Sequence, residues 1–531
     1  MMKNYLISLT FICTLVGLPL FAQANSAHND AFDAEKVDTL VNNVLTTFKV
    51  PGAAIGVIKG GEVLLSKGYG LQDINQSLPI DQNTVFKIAS TTKAFTAAAL
   101  AILIDQKKIT WESKVVDIIP NFALYDEWVS QEFTIADLLT HRSGLARFAG
   151  DLMLWPEPAG FSRNEIINNL KHLKPASGFR SKYAYDNLLY IVAGEVVAKI
   201  SGVSWETFVE ENIFLPLQMK RCFAGPVPAK QMKNIAQPHG LINNKPTIIK
   251  RNQTYHKESV MAAAGGIKCS VNDLLIWVET QLNRGASPSG ISIFSEEQSE
   301  VMWQPHTILP VSEYDKQFDN THFKSYGLGW HLADMHGFKR VSHTGTLSGN
   351  LSYITLIPEL DLGVIVLINQ NSYYARNAIM SSIVQSFMDI EQKDWLAIQL
   401  KLQQEKLAKK HATDFDTSLS LNVTPIRKQV DLPLNAYVGL YQDPWFGQVK
   451  ISLKNKQLYF QSLKSTRMKG QMIENKDNEF IVWYDDRSLE ADAFARFIVD
   501  DNNNVISLKM DRYSDDVDAS FDYVDLNFTR L

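Results

Sequence analysis

The apolar run at residues 94–104, AFTAAALAILI, constrains the fold of this chain more than any other feature. It contains no charged residue, and alanine and leucine, which make up most of it, favour the α-helix. A helix that is apolar on every side must lie inside a domain, with other elements packed around it. With 531 residues, 45% of them hydrophobic, the chain can build such a core. The run therefore predicts a helix at the centre of a sizeable domain.

Ser90 and Lys93 stand where this helix begins. Ser90 would lie at the positive end of the helix dipole, and Lys93 would lie one turn later on the same face, close enough to touch it. A lysine at the mouth of a buried helix is costly unless it has a partner or a chemical role. The alternative is a serine N-cap followed by a lysine whose amine reaches solvent. A Ser-x-x-Lys spacing alone is a weak signal, and this segment leaves both interpretations open.

Two later segments carry polar groups that could join that pair. Tyr185 and Asn187 precede the amphipathic helical pattern of residues 188–200, which places a phenol and an amide at a helix start. The alternative is an aromatic staple with Asn187 as N-cap. His343 and Gly345 lie in a strand-like stretch, where the glycine lets a backbone N–H approach a substrate closely. A structural histidine is the alternative for His343.

The order of elements predicts the fold class of the first domain. Short β-rich runs occur at residues 53–58 and 62–69 and again at 353–357 and 362–368, and helical patterns fill the interval between them. Helical character returns over residues 375–411 as a closing helix. Such a chain can bring its early and late strands into one antiparallel sheet. We therefore expect an α/β (α+β) domain, an antiparallel sheet flanked by helices with a helical subdomain.

The last hundred residues have a different residue pattern from the first domain. Residues 413–433 are polar, contain two prolines and are predicted to be a linker, which ends the first domain (25–412). Residues 434–531 are predicted to form a small all-β, barrel-like or sandwich domain, because they contain short alternating runs separated by turn residues. These runs are 449–453, 458–463, 480–483, 494–499 and 505–510.

The first 24 residues have the features of a signal peptide. Lys3 supplies a positive charge, residues 6–20 are mostly apolar, and Ala22-Gln23-Ala24 gives a small-x-small cleavage pattern. An uncleaved anchor is the alternative, but the run is shorter than the ~20 residues that span a bilayer. We expect cleavage after Ala24, a periplasmic or secreted protein, and no stable membrane span.

Charge and cysteine content narrow the range of partners. A net charge of -5 over this length lacks the basic excess of a nucleic-acid-binding protein. Cys222 and Cys269 remain after removal of the signal peptide, and their pairing is left open. The sequence contains neither CxxC nor HExxH, so we expect no metal and no cofactor.

Taken together, the motifs resemble those of the serine β-lactamase and penicillin-binding-protein superfamily, most closely its class C branch and the related peptidases and esterases. The resemblance rests on the order and spacing of Ser90-x-x-Lys93, Tyr185-x-Asn187 and His343-x-Gly345. Three further segments support it: TIADLLTHRSGL at residues 134–145, AGGI at 264–267 and YGLGW at 326–330. It covers residues 33–388, and residues 435–531, which open with NAYVGLY, look like the small β-barrel-type module appended to some of these hydrolases.

The resemblance implies a set of roles. Ser90 would be the nucleophile that forms an acyl-enzyme, with Lys93 and Tyr185 as its activating pair. The charge of Lys93 would favour the phenolate of Tyr185 and lower the pKa of that phenol. The oxyanion would lie between the backbone N–H groups of Ser90 and Thr346. Asn187 would hold the substrate amide or Lys93.

His343 departs from the pattern of the penicillin-recognising relatives, which carry lysine at this position. Since histidine has a reference pKa of ~6.5, we expect it to bind substrate carboxylates only below that pH. The resemblance therefore implies an exported serine hydrolase of peptides, D-amino acid amides or esters, with at most weak hydrolysis of β-lactams. Asp186, between Tyr185 and Asn187, is a second departure. The alternative is a non-catalytic peptidoglycan-binding or scaffold protein that keeps the fold.

Overall fold

The computed structural model describes residues 32–242, 244–250, 253–413 and 431–531. The predicted signal peptide (1–24) and residues 414–430 of the predicted linker lie outside these residues. Among the described residues, no single helix is long and apolar enough to cross a membrane, although the bent pair Leu188–Ser201 and Trp205–Phe214 meets the length and composition test together.

The centre of the first domain is an antiparallel sheet. Thirteen strands are described in this domain: β1 (Gly52–Lys59), β2 (Glu62–Asp73), β3 (Gln76–Pro79), β4 (Phe86–Lys87), β5 (His239–Ile242), β6 (Lys245–Ile248), β7 (Lys268–Cys269), β8 (Thr307–Ile308), β9 (Lys324–Tyr326), β10 (His331–Met335), β11 (Phe338–Leu347), β12 (Asn350–Ile357) and β13 (Leu362–Ile368). Nine of them form the main sheet in the order β3-β2-β1-β13-β12-β11-β10-β9-β8, while β4 pairs with β7 and β5 with β6. Strand β1 is antiparallel to β13, which confirms that early and late strands share one sheet.

Helices cover both faces of the sheet. They are α1 (Ala34–Phe48), α2 (Lys93–Asp105), α3 (Val115–Ile118), α4 (Glu127–Glu132), α5 (Ile135–Leu139), α6 (Arg163–Asn169), α7 (Leu188–Ser201), α8 (Trp205–Val209), α9 (Ala262–Gly265), α10 (Val271–Leu282), α11 (Glu296–Met302), α12 (Glu313–Asp319), α13 (Tyr373–Ser386) and α14 (Trp395–Thr413). Helices α1 and α13 pack on one face, and α10 packs on the other with the larger helical subdomain behind it. Strands β1 and β13 are consequently buried along almost their whole length.

The central helix is where the apolar run predicts it. Helix α2 is buried without a break from Lys93 to Leu103. Its one polar interior residue, Thr96, donates its hydroxyl proton to the carbonyl oxygen of Ala263 at 2.7 Å, so no polar group of that side chain is left unpaired. The closing helix is two helices rather than one: α13 ends at Ser386, and Asp394 starts α14 by accepting a hydrogen bond from the backbone N–H of Ala397 at 2.9 Å.

The C-terminal domain is a closed barrel. Its strands, in order around the barrel, are β14 (Gly439–Asp443), β15 (Gly447–Lys454), β16 (Gln457–Ser462), β17 (Lys469–Lys476), β18 (Glu479–Tyr484), β19 (Ala493–Val499), β20 (Val505–Arg512) and β21 (Phe528–Arg530). Strand β14 pairs with β21 and closes the ring, so neither edge is left open. The prediction of a small all-β domain is confirmed, and of the two predicted architectures the barrel is the one observed.

The barrel packs against residues 150–169 of the first domain, which we call the 150–169 segment. Polar contacts across this interface join Asn169 to Trp445, Glu157 to Arg467 and Glu165 to Lys464. The rings of Phe161 and Phe446 meet there with centroids 6.2 Å apart. The apolar core of the first domain is therefore continuous with that of the barrel.

Candidate active site

Ser90 lies on a short turn between β4 and α2. The turn is a 3₁₀ helix over Ala89–Thr92, and it begins with Ala89 in the left-handed region at φ 49°. A non-glycine residue held at positive φ costs about 1–3 kcal/mol and is typical of functional sites. Helix α2 has no side-chain cap at its start, so Ser90 is not its N-cap. The side chain of Ser90 is partly exposed, whereas the residues on either side of it are buried.

Strand β11 lies directly against this turn, and Gly345 is the reason it can. A Cβ added at Gly345 would lie 2.2 Å from the carbonyl oxygen of Ile88 and 2.2 Å from the Oγ of Ser352. Ser352 also donates its hydroxyl proton to that carbonyl oxygen at 2.6 Å. Only glycine permits this approach, which brings the backbone of β11 beside the turn that carries Ser90.

The amine of Lys93 is fully buried and surrounded by oxygen atoms. Its Nζ lies 2.8 Å from the Oδ1 of Asn187, 2.8 Å from the carbonyl oxygen of Ala264 and 3.3 Å from the Oγ of Ser90. Burial lowers the pKa of Lys93 to about 7. A neutral amine has two protons, which the Asn187 and Ala264 oxygens accept. Its lone pair then faces the Ser90 hydroxyl.

Tyr185 completes the group around Ser90. Its hydroxyl is hydrogen bonded to Ser90, and its ring centroid lies 4.8 Å from the Nζ of Lys93. Burial raises the pKa of Tyr185 well above 10. The expectation that Lys93 would lower this pKa is therefore wrong in direction, because removal of the phenolate from water outweighs the nearby amine. The site contains a protonated phenol beside an amine that titrates near neutrality.

Asn187 holds Lys93 rather than capping a helix. Its Oδ1 accepts from Lys93, and its Nδ2 donates to the Oδ2 of Asp151 at 2.8 Å. The cap of α7 is supplied by Asp186, whose Oδ1 accepts from the backbone N–H of Leu189 at 3.2 Å. This contact explains the second departure from the family pattern, since Asp186 caps the helix and leaves Asn187 free to face the site.

His343 lies beside Tyr185, with ring centroids 6.4 Å apart, but only 2% of its surface is exposed. Its Nδ1 donates to the carbonyl oxygen of Thr344 at 2.7 Å, and its Nε2 accepts from the hydroxyl of Tyr326 at 3.0 Å, a tautomer assigned from these partners. Burial, together with His331 and Lys93, lowers the pKa of His343 well below 6.5. The expected imidazolium below pH 6.5 is therefore wrong, and the side chain is neutral across the physiological range.

Two residues of the site were not predicted from the sequence. His141 lies under Tyr185 with ring centroids 4.2 Å apart, and its Nδ1 accepts from the backbone N–H of Asp186 at 3.1 Å. His141 belongs to the TIADLLTHRSGL segment, which supports the family resemblance but does not indicate a function for His141. Asp151 is fully buried behind Asn187, and no motif in the sequence marks it.

The structure thus brings Ser90, Lys93, Tyr185, Asn187 and His343 together, with Gly345 and Thr346 on the adjoining strand. No group of three or more His, Cys, Asp or Glu side chains that could hold a metal ion occurs in the part of the chain that the structure describes.

Comparison with protein families gives two matches. The family described as Beta-lactamase matches residues 37–382, and a domain of unknown function, DUF3471, matches residues 425–530. The first match covers more than half of the chain and includes all the residues of the site. The second coincides with the barrel.

Curated relatives and solved structures agree with the first match. Unguisins hydrolase ungD' of Aspergillus campestris is 28% identical over 433 residues, which are 78% of this chain and 76% of that protein. Protein flp of Staphylococcus aureus is 27% identical over 349 residues, 64% of each chain. The octameric penicillin-binding protein homologue from Pyrococcus abyssi shares the fold with a TM-score of 0.59 at 20% identity, over 94% of this chain and 100% of that chain. A class C beta lactamase from Rhodobacter sphaeroides has a TM-score of 0.52 at 18% identity, over 65% and 97%.

Proposed function

This chain belongs to the beta-lactamase family of serine hydrolases, and we propose that its Ser90 forms an acyl-enzyme with an ester, amide or small peptide substrate. The observation that carries the proposal is the environment of Lys93. Its amine is buried, has a pKa near neutrality and is directed at the Ser90 hydroxyl by two other acceptors. A general base is most effective when its pKa lies near the operating pH.

Acylation follows from this arrangement. The Ser90 hydroxyl proton passes to the Nζ of Lys93 as the Oγ bonds to the substrate carbonyl carbon, and the carbonyl π electrons move to its oxygen. Backbone N–H groups of Ser90 and Thr346 would stabilise that oxyanion. This pocket requires the two backbones to lie close together, and the contact of Gly345 with Ile88 supports it.

Tyr185 then serves as an acid. Because its phenol is protonated, it can give its proton to the leaving amine or alkoxide as the C–N or C–O bond breaks, and regain a proton from the Lys93 ammonium. The result is an ester on Ser90, the free leaving group and a neutral Lys93. In deacylation, water attacks the ester carbon and gives its proton to the same base, and Ser90 leaves with a proton.

The neutral state of His343 supports the substrate class. A fixed cation at this position would bind a carboxylate, whereas a buried, neutral imidazole offers none. We therefore propose substrates whose recognition does not depend on a carboxylate at this position, with β-lactams hydrolysed weakly at most. One relative is named as a hydrolase of unguisins.

Export is part of the proposal and rests on two observations. The first is the signal-like pattern of residues 1–24. The second is the disulfide between Cys222 and Cys269, which are 47 residues apart in sequence. Disulfides persist in oxidising compartments such as the periplasm, so the bond supports a periplasmic or secreted protein.

The experiment that tests the proposed nucleophile is labelling with a fluorophosphonate, followed by intact mass measurement and peptide mapping. We expect one adduct per chain on Ser90, and no adduct with Ser90→Ala. Thr91→Ala, one residue away on the same turn, is the matched control and should still be labelled. An unlabelled wild type, or a labelled Ser90→Ala, would contradict the proposal, and the former would favour the non-catalytic scaffold.

A further inference from the structure

A short turn at the start of the 150–169 segment connects the barrel to the residues around Ser90. Residues 148–151, which we call the 148–151 turn, run through Phe148 at φ 62° and Gly150 at φ 73°. At one end, the backbone N–H of Phe148 donates to the carbonyl oxygen of Tyr185 at 2.8 Å. At the other end, Asp151 accepts from the Nδ2 of Asn187 at 2.8 Å. This one turn therefore contacts two residues of the site.

The side chain of Asp522, in the barrel domain, holds this turn. The Oδ2 of Asp522 accepts from the backbone N–H of Gly150 at 2.7 Å, and the Asp522 side chain is 6% exposed. Asp522 lies between β20 and β21, so the contact joins the two domains across 372 residues of sequence. Gly150 sits in a tight position, where an added Cβ would lie 2.8 Å from the Cδ1 of Leu188 and 2.9 Å from that of Leu173.

Three hydrogen bonds and one peptide bond link Asp522 to the site. Asp522 is hydrogen bonded to Gly150, and the peptide bond joins Gly150 to Asp151. Asp151 is hydrogen bonded to Asn187, which is hydrogen bonded to the Nζ of Lys93. We propose that Asp522 is a positioning residue of the acylation site: by fixing the 148–151 turn, it makes the barrel part of the catalytic unit. This inference rests on the proposed function of Ser90 and Lys93. Asp522 does not touch the reacting atoms and acts through Tyr185 and Asn187.

Asp522 acts as a hydrogen-bond acceptor for Gly150 and not as a charged carboxylate. Asp522 is hydrogen bonded to Asp525, and burial and the Asp525 carboxyl raise the pKa of Asp522 to about 8, so Asp522 retains a proton near neutrality. The carboxyl can then donate to Asp525 with one oxygen and accept from Gly150 with the other. An asparagine has the same donor and acceptor arrangement, whereas an alanine has neither.

Fluorophosphonate labelling of the full-length chain tests the proposal, with the maximal rate of Ser90 phosphonylation and the labelled fraction measured separately. For Asp522→Ala we expect a maximal rate at least about 10-fold below wild type with the labelled fraction unchanged, because small displacements of positioned groups have large kinetic effects. For Asp522→Asn we expect a rate within about 3-fold of wild type, because the amide oxygen still accepts from Gly150. Asp522→Ser, whose hydroxyl is too short to reach Gly150, replaces the alanine variant if the latter does not fold.

Lys464→Ala is the matched control on the same interface. Lys464 pairs with Glu165 at 2.5 Å, but Glu165 lies at the start of α6 and has no contact with Lys93 among those described. We expect the control to stay within about 3-fold of wild type, as is usual for an exposed ion pair.

Three results would overturn the positioning role. These are an Asp522→Ala rate equal to wild type, an Asp522→Asn variant as slow as Asp522→Ala, or a loss confined to the labelled fraction, which indicates a merely structural role. A wild type that is not labelled on Ser90 would instead contradict the proposed function, and the positioning role with it.

Discussion

The Nε2 of His343 lies 3.0 Å from the hydroxyl of Tyr326, which donates to it. The other ring nitrogen donates to the carbonyl oxygen of Thr344, so both nitrogens of a neutral imidazole are satisfied inside the protein. Protonation of Nε2 would place a charge in a buried position near Lys93. Burial is the main reason that the pKa of His343 lies well below its ordinary value, and His331 and Lys93 lower it further.

Substrate preference should consequently be independent of His343 titration. We expect the ratio of kcat/KM for a substrate with a free carboxylate to that for a matched neutral ester to stay constant over about pH 5 to 8, where an ordinary imidazole titrates. The ratio cancels general effects of pH on the site. A ratio that rises as the pH falls through about 6.5 would show that His343 gains a proton and binds the carboxylate.

The rate of acylation should follow the titration of Lys93. Burial lowers the pKa of this amine to about 7, and only its neutral form can accept the Ser90 proton. The acylation rate should therefore be half-maximal at about pH 7, approach its full value about one unit above, and fall about tenfold for each further pH unit well below it, because the ammonium form has no lone pair. Stopped-flow acylation by a neutral ester, which does not titrate itself, gives this profile.

Asp186 is the control for that profile, since burial raises its pKa to about 7 as well. In Asp186→Asn the cap of α7 is retained, because asparagine caps a helix as well as aspartate does. A titration should persist in this variant, with its midpoint moved below pH 7, because the Asp186 carboxylate raises the pKa of Lys93. If it disappears, Asp186 and not Lys93 governs the rate.

Gly345→Ala should damage the site more than the fold. The new Cβ would meet the carbonyl oxygen of Ile88 at 2.2 Å, so β11 must move away from the turn that carries Ser90. We expect a loss of about 1–3 kcal/mol in the free energy of unfolding and at least about a 100-fold loss in acylation rate. Gly178→Ala, where the closest atom is 3.5 Å away, is the control and should change neither quantity. An acylation rate close to wild type in Gly345→Ala would contradict the close approach of β11.

The disulfide should stabilise the protein by an amount that rises with the logarithm of the length of the loop it closes. Breaking the bond between Cys222 and Cys269 with Cys222→Ser and Cys269→Ser together frees a 47-residue loop, which corresponds to a loss of up to about 4 kcal/mol in the free energy of unfolding. Urea denaturation of both forms measures it. Equal stability of the double variant and the non-reduced wild type would mean that the bond does not form in solution.

Local patterns were sufficient to predict the centre of the site. A serine and a lysine three residues apart at a helix start must lie on one face, so the contact between Ser90 and Lys93 could be predicted from their spacing. The apolar run likewise predicted α2, because a helix with no polar face has to be buried. The paired early and late strands followed from the same kind of pattern.

The features that could not be predicted from the sequence depend on contacts between residues far apart in the chain. Burial of Tyr185 and His343 reverses the protonation expected from their neighbours in sequence, and burial is a property of the whole fold. Asp151 and Asp522 are isolated aspartates with no motif around them, and they meet the site only through tertiary structure. Helix α14 begins after a capping residue, Asp394, which an apolar periodicity does not detect.

The most direct test of Ser90 as the nucleophile is the mass of the protein quenched in acid within seconds of mixing with an activated ester. We expect a mass increase equal to one acyl group, located on Ser90 by peptide mapping. The adduct should form in the wild type and be absent in Ser90→Ala. Formation should be slowed by Lys93→Met, which removes the amine while keeping the apolar length of the side chain. A wild type without an acyl adduct, or an adduct on any residue other than Ser90, would contradict the assignment of Ser90 as the nucleophile.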